Sequence, residues 1–271
     1  SPVGECNACA RVTALRFHTV AQGFHHLFRI KQMYKHPLID RDKITPTAAL
    51  DYLIEGNQRF TNNISSNKDL LQVANITKDQ QHPLAAILSC SDSRTSTELI
   101  FDQNLGDIFS VRLAGNIASN KAIGSLEYAC QYLGAKVVVV LGHTKCGAVK
   151  AACDHFSGGH IGEITSLIKH AVDGEKECRE HRHSGNPEFV DRVCELNIAL
   201  QMVRILHGSE MLLNMLREQR IGLVGGMYDL ETAMVAFPEQ YRWFNLPDAL
   251  KQVAFDDLMR VSAGGVLHAA A

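Results

Sequence analysis

The sequence predicts an α/β fold: a central, mostly parallel β-sheet flanked by helices, preceded by an N-terminal helical arm. Three observations lead there. Short apolar runs recur at residues 84–89, 107–113, 136–141 and 221–224, with the length and continuity of strands buried on both faces. Segments of helical spacing lie between and after them, and strand–helix alternation marks a parallel sheet covered by helices. The two densest groups of reactive side chains, at residues 90–94 and 143–146, each follow directly on one of these strands.

Residues 1–44 read as the arm and 45–271 as one principal domain. Thr45 can cap the domain's first helix and Pro46 suits its first position, where a missing N–H costs nothing. Ala49, Leu50, Leu53 and Ile54 carry the apolar face, and the helix reaches about residue 60. A polar loop follows at 62–68, then the strands at 84–89 and 107–113. Ile123, Leu126, Cys130 and Leu133 mark an amphipathic helix ahead of the clearest strand, 136–141, with its four consecutive valines. Residues 173–187 are charged and broken by glycine, so they read as a surface insertion. A helical stretch spans 190–220, in which Met211, Leu212, Met215 and Leu216 form a core or dimer-facing stripe. The strand at 221–224 comes next. After Gly225-Gly226 a turn and a short strand within 232–237 are expected.

Bulk composition excludes several function classes. A formal net charge of −2, with no basic stripe interleaved with aromatics, offers no footprint for nucleic acid. No apolar run approaches the roughly 18 residues of a membrane span. The segment at 12–35 is amphipathic and reads as a docking helix rather than a membrane contact. No secretory pattern is present, although a chain starting at Ser1 is compatible with a removed targeting segment. Among eight cysteines, Cys90 and Cys146 sit beside His, Asp and Arg, as metal-binding thiols do in a reducing compartment. The cytoplasm is therefore the expected location, or an organelle if a targeting segment has been lost. Cys6 and Cys9 form a Cys-x-x-Cys with no partner pair nearby, and read as part of a disordered end. The pairs His25-His26 and His181/His183 read as surface histidines.

The chemistry lies in two strings. Cys90-Ser-Asp92-Ser-Arg94 follows the first strand, and Gly142-His143-Thr-Lys-Cys146-Gly147 follows the valine strand. Residues just past the carboxyl ends of neighbouring parallel strands converge on one crevice. Two thiols and one imidazole, from Cys90, His143 and Cys146, can meet there. Two sulfurs and one nitrogen suit zinc, and three protein ligands leave a fourth position open. Asp92 can orient the water a metal activates or ligate the metal itself, and Arg94 as its bidentate partner keeps it ionised and off the metal. Zinc lowers the pKa of its water from about 15.7 to about 7. Cys153 and His155 are the nearest spare ligands, but they fall in the following helical segment and are expected in packing or solvent. Either string alone carries little. Both, at successive strand ends, carry much.

With the two strings present in order, the chain resembles the β-carbonic anhydrases over about residues 45–237. The resemblance implies one Zn2+ per chain on Cys90, His143 and Cys146, with Asp92 and Arg94 as the catalytic dyad. It implies reversible hydration of CO2 to bicarbonate and a proton by zinc-hydroxide attack. The string Phe109-Ser-Val-Arg-Leu-Ala-Gly-Asn116 and the string Gly225-Gly-Met-Tyr-Asp229 resemble further family segments. The pocket is similar to that of the plant-like branch, which implies substrate-binding roles for Gln81, Phe109, Tyr128 and Gly147. Ile87 stands where the bicarbonate-regulated branch has a tryptophan, so the inhibitory anion site of that branch is not expected. Arg112 matches an arginine of that site which other members use structurally, and Leu113 replaces the usual asparagine. The resemblance also implies a homodimer or a dimer of dimers, with Phe109 and Tyr128 serving the neighbouring protomer's zinc. Two rival readings remain: hydrolysis of CS2 or COS on the same scaffold, and a zinc-binding protein without catalysis.

Overall fold

The computed structural model describes residues 43–66 and 68–251. The N-terminal arm, with Cys6, Cys9 and the amphipathic segment at 12–35, lies outside the described residues. Helix α1 (Pro46–Thr61) begins as its sequence requires, with the Thr45 hydroxyl accepting from the Ala48 N–H at 3.1 Å. A short α2 (Leu70–Thr77), capped by Asp69, follows the polar loop. The sheet then opens with β1 (Ala85–Ser89), α3 (Thr97–Ile100) and β2 (Ile108–Arg112). A single 3-10 turn, Ala114–Asn116, leads to α4 (Asn120–Gln131) and β3 (Val137–His143). Next come α5 (Gly147–Cys153), α6 (Ile161–Gly174), α7 (Pro187–Gly208) and α8 (Glu210–Arg217). The described part closes with β4 (Gly222–Tyr228), β5 (Val235–Ala236), β6 (Arg242–Trp243) and a last turn of helix, α9 (Asp248–Lys251).

The strand order is β2-β1-β3-β4-β5, with β6 also paired to β4. The four long strands run parallel, while β5 and β6 join antiparallel at the β4 side. Every residue of β3 is buried, as expected of a central parallel strand covered on both faces. Ala86, Leu88, Val138 and Val140 share one apolar cluster with α4, α7 and α8. Register places Ser89 opposite Leu141, so the carboxyl ends of β1 and β3 lie side by side. That alignment brings the two reactive strings together. Among the described residues no helix is long and apolar enough to cross a membrane.

Two expectations need correction. The glycine pair Gly225-Gly226 does not end its strand but lies inside β4. A Cβ on Gly225 would sit 2.6 Å from Ile198 and 2.9 Å from Met202, and one on Gly226 would sit 2.7 Å from Phe237. The glycines therefore serve close packing against α7 and the 237 loop, and the turn starts only at Asp229. The helical stretch at 190–220 is two helices. Ser209 has left helical geometry (φ −142°) and its hydroxyl caps α8 by accepting from the Leu212 N–H at 3.1 Å. The insertion at 173–187 is on the surface as expected, with all its residues exposed or half-exposed except Glu175, which anchors it by accepting from the Glu177 and Cys178 N–H groups and pairing with Arg182, whose guanidinium lies 4.6 Å over the Phe189 ring. Helices α2 and α6 were not read from sequence. The latter starts without a side-chain cap, so its first turn carries no such signal.

Helix α1 is tied to the loop beyond α3. Asn57 donates to the carbonyls of Ile100 and Ala233 and accepts from the Val235 N–H. Buried Asp102 pairs with Arg59 and Lys68. Gly56 makes this approach possible, because a Cβ there would fall 1.8 Å from the Phe101 carbonyl oxygen. A backbone oxygen cannot retreat as a side chain can. Gly56→Ala is expected to cost about 3 kcal/mol, at the upper end of overpacking penalties, read as a lower urea midpoint at unchanged slope.

Candidate metal centre

Cys90 is the first residue past β1, His143 is the last of β3, and Cys146 stands at the N-cap of α5. All three are buried, and their ligand atoms lie within 4.8 Å of one another. The two sulfurs are 4.0 Å apart. Two thiolates on one tetrahedral zinc, each at about 2.3 Å, stand about 3.8 Å apart, so the spacing of the two sulfurs suits that ion. The His143 Nδ1 lies 2.8 Å from the Thr144 carbonyl, a contact that makes Nδ1 the donor and leaves the Nε2 lone pair bare. That Nε2 is buried and has no protein partner. A buried acceptor without a partner is costly, and a metal beside two sulfurs is what satisfies it.

The two sulfurs are within hydrogen-bonding reach, so a proton on one is shared with the other. The Cys146 thiol hydrogen-bonded to Cys90 lowers the Cys90 pKa against its burial, with smaller help from the Gly115 N–H. The same hydrogen bond, with burial added, raises Cys146. A divalent cation replaces that proton and its charge allows both sulfurs to ionise.

The loop after Cys90 is held from three directions. Arg94 donates from its backbone N and Nε to Asp92 Oδ1, each at 2.9 Å, and from Nη2 to Oδ2 at 2.7 Å. These bonds hold the Asp92 carboxyl well below the usual carboxylate range. Three of its roughly four acceptor positions are filled, which leaves one on Oδ2 for a proton of a reacting water. The Thr95 hydroxyl bridges to the Cys90 and Asp92 carbonyls. Arg112, from β2, donates to the same two carbonyls at 3.1 and 2.5 Å. Arg112 thus acts structurally, strapping the loop to the sheet.

The second ligand loop is braced by the end of β4. Thr144 N donates to the Tyr228 carbonyl, and the Thr144 hydroxyl accepts from the Leu230 N–H at 3.0 Å. Lys145, between the two ligands, has φ +58°, a left-handed conformation that a non-glycine residue adopts only when its surroundings impose it. Its ammonium pairs with Glu231. The Asp229 carboxylate in turn accepts from the Glu231 and Thr232 N–H groups, forming the turn that carries this brace.

The comparisons agree with this geometry. The family model described as carbonic anhydrase matches residues 85–235, more than half of the 271-residue chain. Carbonic anhydrase 2 of Mycobacterium tuberculosis is 34% identical over 190 residues, covering 69% of this chain and 89% of that protein. Among solved structures, the Coccomyxa β-carbonic anhydrase in complex with acetazolamide superposes with a TM-score of 0.60 at 23% identity, over 77% of this chain and 95% of that one. A tetrameric β-carbonic anhydrase of Sordaria macrospora matches with a TM-score of 0.53 at 21% identity, over 70% and 96% of the two chains. The chain belongs to the β-class carbonic anhydrases.

In this carbonic anhydrase Cys90, His143 and Cys146 lie within 4.8 Å of one another, and Asp92 pairs with Arg94. The pocket residues divide. Ile117 packs in the same apolar cluster as Cys90 and Cys146, giving the centre a dry wall. Gly147 opens α5 beside Cys146, and a Cβ there would meet nothing within 4 Å. Phe109 lies instead against the other cluster, its ring 6.2 Å from that of Tyr128, which in turn lies tilted 5.7 Å from exposed Tyr132. Gln81 is exposed. Cys153 is buried in packing and His155 is exposed, as expected for spare ligands outside the site. Leu113, at the usual asparagine position, packs against both apolar clusters. The sequence reading missed Gly115, whose N–H donates to Cys90 Sγ at 3.3 Å, and the buried amides of Asn197 and Gln201 behind it. Two amides inside an otherwise apolar helical face were the available signal.

Proposed function

We propose that this carbonic anhydrase reversibly hydrates CO2 to bicarbonate and a proton with one Zn2+ held by Cys90, His143 and Cys146. The observation that carries the reading is the bare, buried Nε2 of His143 beside two thiols, all within 4.8 Å. When bound, zinc supplies the Lewis acidity that makes water nucleophilic near neutral pH. The protein's own groups do the rest. Asp92 accepts a hydrogen bond from the O–H of the attacking water that points away from carbon, and so aims the oxygen lone pair. Arg94 occupies the other carboxylate positions and keeps Asp92 ionised. Ile117 and the apolar cluster around the ligands exclude bulk water from a substrate that is small and apolar.

Gln81, Phe109, Tyr128 and Gly147 complete the proposed substrate pocket as in the plant-like branch. The position of Phe109 and Tyr128, together with the exposed Tyr132, supports their use by a second copy of the chain. A homodimer is the proposed minimum assembly, and the tetrameric Sordaria relative supports a dimer of dimers. Six free cysteines among the described residues, two of them in the centre, support a reducing compartment such as the cytoplasm.

Stopped-flow CO2 hydration on protein of measured zinc content tests this reading. Activity is expected to rise in proportion to zinc up to one ion per chain. Zinc-loaded protein that is silent towards CO2 yet hydrolyses CS2 or COS would overturn the substrate assignment.

A further inference from the structure

We propose that Asn197 and Gln201, on α7, are positioning residues for the metal centre, acting by holding the Gly115 N–H on the Cys90 sulfur. The proposal rests on the reading of Cys90 as a zinc thiolate. Gly115 sits in the 3-10 turn with φ +72°, a conformation glycine adopts freely, and its N–H reaches Cys90 Sγ at 3.3 Å. A Cβ there would lie 2.6 Å from Ile168, so the turn is both left-handed and tightly covered.

Behind that turn runs a directional chain of amides. Asn197 Nδ2 donates to the Gly115 carbonyl at 2.9 Å. Gln201 Nε2 donates to Asn197 Oδ1 at 2.9 Å, and Gln201 Oε1 accepts from the Ala118 N–H at 2.8 Å. Arg204 Nε then donates to the Ala118 carbonyl at 2.9 Å. The orientation of both amides is decided by the network, because the Gly115 carbonyl can only accept and the Ala118 N–H can only donate. Residues 197, 201 and 204 lie at i, i+4 and i+7, one face of the helix. They grip the turn at both ends.

The rest of the buried surface of α7 is mainly apolar, including Val193, Cys194, Ile198, Met202, Val203, Ile205 and Leu206. Asn197 and Gln201 are fully buried there, at 0% and 1% exposure. Burying two primary amides is costly unless each is bonded, and a helix that only packed on the sheet would carry leucines at these positions. Their bonds go to a turn whose N–H touches a metal-binding sulfur. An N–H···S bond offsets part of the charge of a thiolate in a site that buries two of them, and fixes the direction of its lone pairs.

Two variants and one control test this. Asn197→Leu keeps the branching and heavy-atom count and deletes the donor to Gly115. Gln201→Glu keeps the acceptor for Ala118 but cannot donate to Asn197 as a carboxylate. Ser209→Ala removes the cap between α7 and α8, at the end of α7 remote from Gly115, and controls for stability alone. Zinc affinity is measured by chelator competition, and the apoprotein is also loaded with Co2+ to record its thiolate-to-metal charge-transfer band. Asn197→Leu is expected to weaken zinc binding about 10- to 100-fold, the usual range for partners of ligands. Its cobalt band is expected to move to lower energy, because a sulfur without its N–H donor gives up charge more readily. Gln201→Glu is expected to do the same to a smaller extent, and it carries the test if Asn197→Leu fails to fold. Ser209→Ala is expected to lose stability with zinc affinity and band unchanged. Variants that match wild type in both zinc affinity and band, while only their stability falls, would overturn the proposal. Wild-type protein with no thiolate band would overturn the ligand reading itself, which separates the two failures.

Discussion

Cys146→Ser is expected to lose zinc and to reduce CO2 hydration to the uncatalysed rate. The Cys146 sulfur is one of three ligand atoms within 4.8 Å, and it is buried at the N-cap of α5. Serine is nearly isosteric, but its hydroxyl is a hard, neutral donor that ionises far less readily than a thiol. Two ligands then remain, Cys90 and His143, with only one charge to offset that of zinc. Such a pair does not make the closed three-ligand base of a catalytic zinc site. Folding is expected to survive, because serine also serves at an N-cap and the change costs only about 1–3 kcal/mol for an unpaired buried hydroxyl. Zinc analysis, circular dichroism and stopped-flow hydration on the same preparation check this. A folded Cys146→Ser protein that keeps one zinc and full activity would remove Cys146 from the ligand set.

Asp92→Asn is expected to lower kcat/KM by roughly 10²-fold, the loss typical when a reacting group is no longer correctly oriented. Asparagine keeps the shape and can still accept from Arg94 through its one oxygen. The other oxygen becomes an NH2, which presents a donor where Oδ2 had its free acceptor position. It also faces the donating Nη2 of Arg94, which is 2.7 Å away in the native dyad. The pH profile separates orientation from titration. The Asp92 carboxyl in the folded protein titrates below its unfolded value of about 3.9, so the dyad is complete above that pH. It is lost only as the pH falls through the still lower folded value. No limb of the activity profile at neutral pH belongs to Asp92. The variant is expected to lower the height of the profile and to keep its shape. A kcat/KM equal to wild type across the profile would leave Asp92 without an orienting role.

Much of the centre is legible in the chain because its parts are local. Asp92 and Arg94 are two residues apart, so one loop suffices to form the ion pair. His143 and Cys146 are three apart and share one turn. Thr45-Pro46 marks the start of α1 because a cap works through bonds to its own next turn. The glycines of β4 misled for the opposite reason. A glycine pair usually signals a turn, and only the side chains of Ile198, Met202 and Phe237, far away in sequence, show that the pair is there to admit them. The same holds for Ser209, where a polar residue inside a long apolar-periodic stretch proved to be a cap.

The sequence by itself determined the fold class, the donor types and the dyad, since each depends on periodicity or on spacing within a few residues. Tertiary structure decided how Cys90 meets residues more than fifty positions later, through the parallel register that sets Ser89 beside Leu141. It decided that Arg112 straps the ligand loop and that Asn197 reaches the Gly115 carbonyl, 82 residues away. Bonds across such distances leave no periodic trace in a chain. They exist only once the sheet has brought the strand ends together and the helix has buried polar groups that must then find partners.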